Sequence, residues 1–311
     1  MIDFIVYDMT HLRYFVPFTA SLSRMGFQTR WLINMSGNKY NSIGVIADRV
    51  KFVQEIAKRS GCNSFEVFDP NSSGMCAVTI ETGDPEDKIP EKYESVISMQ
   101  HGFDYTTPER ASGENVLNIM WDQIYASHHA TIKSGCKYLV PSVPISFWFN
   151  PVLNLEEKIA TVFYPEVGFH AEANRACLAL LEMGITPVIK QRKKNQKVPE
   201  AVHCKIVYDE IWYPSESIFY PVASTLCVGF GTSAYTDAVP AGLTFVDCTA
   251  PSYSRNYLKP LSHHYISCLP GEEESAIRRA LQIPSKFNST TLEERDVFTL
   301  RAMEAVNVQR S

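Results

Sequence analysis

Short apolar runs alternate with longer amphipathic stretches along almost the whole chain, in two successive series. A strand followed by a helix of ten or more residues returns parallel to its predecessor. Such alternation therefore predicts parallel sheets with helices on both faces. In the first series Ile2–Tyr7, Thr29–Asn34, Ser64–Phe68, Ser95–Met99 and Lys137–Val140 read as strands, with one more at Cys76–Ile80. Helices are expected from Thr10 to Met25, over Ile43–Arg59 and over Asn115–Ser134. The second series is clearer. Strands are expected at Lys158–Tyr164, Thr186–Gln191, Lys205–Tyr208, Thr225–Gly229 and Leu243–Asp247. Helices are expected at Ala171–Met183, Ser215–Ala223, Ser233–Ala241, Glu272–Leu281 and Thr291–Val308.

Between the series lies a segment with three prolines, Pro141 to Pro151, a poor helix and a natural linker. Its aromatics Phe147, Trp148 and Phe149 need cover, either by packing between domains or against a membrane surface. The expected fold class is α/β: two Rossmann-like domains, residues 1–150 and 151–311, facing across a cleft. The 311 residues, 45% of them apolar, suffice for two cores of about 150 residues each. A net charge of −5 argues against broad nucleic-acid binding, which needs basic surface to displace counterions. No run reaches the roughly 18 apolar residues of a membrane span, and the N-terminus reads as a first strand rather than a signal peptide. The eight cysteines never form a CxxC pair and several sit in apolar runs, so reduced buried thiols and a cytoplasmic location are expected.

Ligands in such folds bind at the carboxyl ends of the strands. The most informative stretch runs from Leu226 to Asp247: a buried strand, a small-residue turn, a helix and another strand. Gly229 and Gly231 permit close backbone approach, and Thr232 and Ser233 open the helix, so that hydroxyls and free N–H groups converge where a phosphate fits. Asp237, one turn further, is placed to accept from a ribose diol. The competing reading is an ordinary capped turn with Asp237 as a solvated charge. Ser215 and Ser217 open the preceding short helix, as a second anion-binding end or as a simple cap. Lys190 and Arg192 end a strand where a cation stabilises a departing diphosphate, unless they belong to a solvated basic loop. Glu166 and His170 follow the first strand of the second half, facing either a sugar or solvent.

In the first half His101 follows a buried strand and precedes Gly102; imidazole titrates near ~6.5 and accepts a proton from an attacking hydroxyl. Asp104 orients that ring or serves as the base itself. His11, with Asp8 nearby, caps the first helix or touches the acceptor. No Asp-x-Asp dipeptide offers itself to a divalent metal, and the pairs His128-His129 and His263-His264 hold neighbours that do not face each other on a helix, so no metal is expected.

The stretch around Thr232, Ser233 and Asp237 resembles the donor-binding motif of GT-B glycosyltransferases, Ser/Thr-Ser-x-x-x-Glu-Ala ending in Gly-Lys-Pro; here Asp237 takes the place of the acid and Gly242-Leu243-Thr244 that of Gly-Lys-Pro. The segment Tyr208 to Ser217 resembles the one before that motif in CDP-glycerol glycerophosphotransferases and capsule-polysaccharide transferases, and the His101-Gly102 pair resembles one in teichoic-acid-type transferases. The resemblance implies a GT-B fold and a metal-independent glycosyltransferase or glycerophosphotransferase-like enzyme of surface-glycan synthesis. Its donor would be a nucleotide-sugar or CDP-polyol, serving as substrate with no further cofactor. Its acceptor would be a glycan or a lipid-linked hydroxyl, with peripheral membrane contact. It also implies Asp237 on the donor ribose and His101 as base. The alternatives are a nucleotide-sugar 2-epimerase, which shares the architecture and would use Glu166, Asp104 and His101, and a non-catalytic binding protein that kept the fold.

Overall fold

The structure, a computed structural model, describes residues 1–35, 47–69, 71–81, 93–100, 114–121, 123, 126–127, 137–165, 168–191, 198, 204–208, 218–249 and 262–309. The chain forms two compact units, Met1–Trp148 with Thr290–Ser311, and Phe149–Ser289.

The first unit is a seven-stranded parallel sheet. Its strands are β1 (Ile2–Val6), β2 (Thr29–Ile33), β3 (Ser64–Val67), β4 (Gly74–Glu81), β5 (Tyr93–Gln100), β6 (Val116–Ile119) and β7 (Lys137–Leu139), in the order β3-β2-β1-β4-β5-β6-β7. Central strands of parallel sheets are covered on both faces, which is why β1 is buried at every position and reads as a continuous apolar run. Its exception, Asp3, is fully buried but paired: Arg30 donates to both carboxylate oxygens (3.0 and 2.7 Å) and Tyr93 OH to one (2.8 Å). That pairing keeps a buried charge tolerable.

Helix α1 (Leu12–Arg24) and helix α2 (Ala47–Arg59) flank this sheet, the former burying Leu12, Phe15, Phe18 and Leu22. The segment expected to be a helix over Asn115–Ser134 instead begins with β6. The physical reason is its place: Val116, Leu117, Asn118 and Ile119 are all buried between β5 and β7, an environment that favours extended apolar backbone over a helix.

The second unit is a six-stranded parallel sheet: β8 (Ile159–Phe163), β9 (Thr186–Gln191), β10 (Lys205–Tyr208), β11 (Leu226–Gly229), β12 (Phe245–Asp247) and β13 (Tyr265–Ser267), ordered β10-β9-β8-β11-β12-β13. Helices α3 (His170–Glu182), α4 (Phe219–Ala223), α5 (Tyr235–Ala238) and α6 (Glu273–Ala280) belong to it. One face of the sheet, through Ala160, Val162, Ile189, Leu226, Val228 and Val246, packs on Ala173, Ala176, Leu180 and Ile277 of α3 and α6. The short strand β13 was not expected from the sequence.

Helix α7 (Leu292–Ala305), with a full capping box between Thr291 and Glu294, corrects the expected boundary at its far end. It belongs to the first unit rather than to 151–311, because its inner face fits α1. Ser21 Oγ donates to Asp296 (2.6 Å), Arg24 pairs with Asp296 (2.7 Å), and Thr299 donates to Ser21 (3.0 Å). The linker aromatics are covered: Phe147 and Trp148 are buried, and Trp148 lies 5.6 Å from Phe298 and 6.3 Å from Phe18, ring to ring. That removes a membrane-facing role for those two. Among the described residues no helix is long and apolar enough to cross a membrane.

Candidate functional site

Each sheet starts in its middle, builds outward to one side, then returns to build the other. Within the second unit the strand order is that of the dinucleotide-binding sheet, and the reversal falls between β8 and β11. At such a switch point the loops leaving the two strands diverge, and a crevice opens at their carboxyl ends.

The loop leaving β8 enters α3 through Gly168 (φ 71°) and Phe169 (φ 53°), consecutive left-handed residues. A non-glycine residue there is strained, by about 1–3 kcal/mol, and Phe169 is held by packing on the core of this unit. Its carbonyl accepts the Ala173 amide (2.8 Å), and among the described residues no side chain caps the helix end. Exposed His170 places Nδ1 3.3 Å from the Tyr164 hydroxyl. Burial pushes the Tyr164 phenol up, helped by the nearby Cys177 and Cys204 thiols, so it stays a proton donor.

The loop leaving β11 is tighter. A Cβ on Gly229 would sit 2.5 Å from the Phe245 ring and 2.6 Å from Thr232 Cγ2. No other residue fits without moving one of them. The next residues answer the expectation of free amides in two ways. The Gly231 amide donates to Thr249 Oγ1 (2.7 Å) and the Ala234 amide to Thr232 Oγ1 (3.2 Å), so these two are occupied by protein. Gly231 has the positive φ (61°) that its place in the turn requires, but its own amide is taken up by the protein. Among the described residues no protein acceptor takes the Thr232 and Ser233 amides, and both residues are half-buried. The helix that follows is shorter than expected, a single turn, α5.

Asp237 is on that turn but is fully buried. It is therefore not the solvated charge of the competing reading, nor a carboxylate open to an arriving ribose in this structure. Lys190 lies at the carboxyl end of β9, half-buried, with Nζ 3.4 Å from the Gln191 carbonyl. His11 is also fully buried, its ring edge-on to Tyr7 (4.3 Å) and Phe15 (5.6 Å). Its side chain does not cap α1, and the preceding turn is capped by Asp8, which accepts from the Thr10 amide (2.8 Å) and hydroxyl (2.7 Å). His11 thus packs within the core in this structure. His101, Asp104, Glu166, Arg192, Ser215 and Ser217 lie outside the described residues.

Asp247, Thr249 and Tyr265 were not singled out from the sequence. Asp247 accepts from the Thr249 amide (3.1 Å), the Thr249 hydroxyl and the Tyr265 hydroxyl, which ties the end of β12 to β13 and, through Thr249, to the Gly231 amide. An acid ending an apolar strand run was the available signal.

Among the described residues no three His, Cys, Asp or Glu side chains gather as metal ligands. The described cysteines are free thiols. Burial pushes Cys177 up to about 12, and Cys248 is raised by its hydrogen bond with Cys268 and by burial, which suits inert core residues rather than nucleophiles.

No protein-family model matches the chain, and no curated protein matches it by sequence. Solved structures do resemble it. The UDP-GlcNAc 2-epimerase of Methanocaldococcus jannaschii, in complex with UDP-GlcNAc and UDP, is similar with a TM-score of 0.55 at 8% identity, over 97% of this chain and 99% of that one. The spinosyn forosaminyltransferase SpnP gives a TM-score of 0.49 at 9% identity (98% and 94% covered), and the calicheamicin glycosyltransferase CalG4 gives 0.46 at 12% (98% and 94% covered). At such low identity the epimerase likeness speaks for fold: this chain is an α/β protein of two Rossmann-like units, like that enzyme along nearly its whole length.

Proposed function

We propose that the chain is a transferase that takes a nucleotide-activated sugar, or a similarly activated polyol, and passes the activated unit to a hydroxyl acceptor. The observation that carries this reading is the switch point of the second unit, where a helix end that no described side chain caps and the Thr232 and Ser233 amides lie on the two loops that flank the reversal. Backbone N–H groups and helix ends of this kind bind phosphate. The fold likeness to an enzyme solved with UDP-GlcNAc and UDP supports a nucleoside diphosphate as the guest.

In the sugar-donor case the acceptor oxygen forms a bond to the anomeric carbon as the carbon–oxygen bond to the diphosphate breaks. The nucleoside diphosphate leaves with the electron pair, and the acceptor proton passes to a base. The proposed base is His101, with Asp104 orienting it or acting in its stead. Lys190 and Arg192 offset the leaving charge with no metal required, Ser215 and Ser217 add hydroxyls near the diphosphate, and Glu166 contacts the sugar. Whether the acceptor is a glycan or a lipid-linked hydroxyl, and a role in surface-glycan synthesis, belong to the same proposal.

The epimerase likeness favours one other reading, a nucleotide-sugar 2-epimerase. A single experiment separates the two. UDP-GlcNAc is incubated with the protein alone and with hydroxyl acceptors, and the products are followed by NMR. A transferase releases UDP in an acceptor-dependent way; conversion to the 2-epimer without acceptor establishes the epimerase instead. A protein whose melting temperature is unmoved by a panel of UDP-, GDP-, CDP-, dTDP- and CMP-linked donors would overturn both, because bound donor stabilises by mass action.

A further inference from the structure

Behind the Gly229–Ser233 turn a chain of hydrogen bonds runs from the edge strand β13 to the turn's own backbone. Tyr265 donates its hydroxyl to one oxygen of Asp247 (2.5 Å). The other oxygen takes both the amide and the hydroxyl of Thr249, and Thr249 Oγ1 in turn accepts the Gly231 amide (2.7 Å). The directions are forced. A carboxylate only accepts, and a hydroxyl carries one proton. Thr249 gives that proton to Asp247, so toward Gly231 it can only accept. Asp247 is 6% exposed, and in such surroundings hydrogen bonds polarise one another and hold their geometry.

We infer that Asp247 and Thr249 are positioning residues for the nucleotide-binding turn. They take up the Gly231 amide on the protein side and thereby fix Thr232 and Ser233 as the donors left for a phosphate. Gly229, hemmed in by Phe245 and Thr232, prevents the turn from relaxing on its other side. This inference rests on the nucleotide reading above, but its structural half is testable without any ligand.

The experiment compares wild type, Thr249→Val, Thr249→Ser and Tyr265→Phe as full chains. Amide hydrogen exchange is followed over residues 230–233 without ligand, and UDP affinity is measured by calorimetry. Thr249→Val keeps the shape but loses the acceptor. Exchange in this segment should quicken and the UDP dissociation constant should rise about tenfold, the equivalent of one lost hydrogen bond. Thr249→Ser, which retains the hydroxyl, should restore both. Tyr265→Phe removes only the outermost bond and should weaken UDP about twofold to threefold, which keeps the test alive if Thr249→Val folds poorly. Equal exchange and equal UDP affinity in wild type and Thr249→Val would overturn the inference alone. Faster exchange in Thr249→Val, with wild type binding no nucleoside diphosphate, would overturn the nucleotide reading while leaving the hydrogen-bond chain as a structural brace.

Discussion

After β1 the chain turns through Asp8, whose carboxylate takes the amide and hydroxyl of Thr10 and sits at the entry to α1. After β8, in the equivalent place of the other sheet, it turns through left-handed Gly168 and Phe169 into α3, and no described side chain caps the helix. The topology is the same; the capping differs, since Asp8 caps the short turn that leads into α1. A helix entrance is partly positive and attracts an anion. In the first unit a protein carboxylate already meets that need, and a phosphate approaching there would face a like charge. In the second unit Glu172 lies in the first turn of α3, beside Arg175 (3.5 Å), and no described side chain accepts from the turn's amides. On the nucleotide reading proposed above, the two entrances would thus differ in how open their amides are to a diphosphate.

The largest expected effect tests whether the second unit's turn is as tightly built as its contacts suggest. In Gly229→Ala the new methyl meets the Phe245 ring, which cannot retreat because it stacks on Phe163 (5.8 Å) and meets Tyr235 edge-on (6.0 Å). Overpacking of this kind costs about 2–3 kcal/mol. Urea unfolding should show that loss, and UDP binding should disappear with it. A variant with wild-type stability and affinity would mean the turn is pliable, and the contrast between the units would lose its basis.

A smaller effect compares the ion pairs that clamp a helix onto each unit. In the second, Glu273 on α6 receives both arms of Arg175 (3.0 and 2.9 Å) and the Gly271 amide. In the first, Asp296 on α7 receives Arg24 and Ser21. Burial alone would raise both acids, but their donors hold them below the usual carboxylate range. A depressed folded-state pKa means the stabilisation is complete above the ordinary value, 4.5 for Glu273, and is lost as pH falls through the lower folded value. The Glu273 side chain is 2% exposed against 30% for Asp296, so its clamp should matter more. Glu273→Gln should cost about 1–2 kcal/mol at pH 7 and flatten the acid limb of the stability curve. Asp296→Asn should cost about half that, as solvent screens a surface pair. Equal losses would erase this distinction between the units.

Much of this fold could be read from the sequence because buried parallel strands write themselves as largely apolar runs: Ile2–Val6, broken only by Asp3, Ile159–Phe163, broken only by Thr161, and Leu226–Gly229 were legible for that reason. Where the run is mixed the signal fails. Asn118 interrupts β6 and made a helix plausible, yet it is buried in mid-sheet; Tyr265–Ser267 is too short to show a period at all. Helix α7 was expected at Thr291–Val308, but not its partner, since Ser21 and Asp296 meet across most of the chain. At the site, Gly229, Thr232 and Ser233 announced a turn. Burial of Asp237 and the capture of the Gly231 amide by Thr249 depend on how β11, β12 and β13 lie side by side, which local sequence does not encode.

The smallest expected effect bears most directly on the two turns. Asp8→Ala removes the acceptor for the Thr10 amide and hydroxyl, and loss of such a cap costs about 1 kcal/mol, seen as a modest fall in the urea midpoint. Because Asp8 belongs to the unit assigned no diphosphate, UDP affinity should stay within twofold of wild type. The variant also removes the carboxylate that stands at this entrance. If UDP then bound more tightly, or a second equivalent bound, the first unit's turn would be a phosphate site held shut by Asp8 alone. The asymmetry would then lie in that single carboxylate and not in the Gly168–Phe169 and Gly229–Ser233 turns of the second unit.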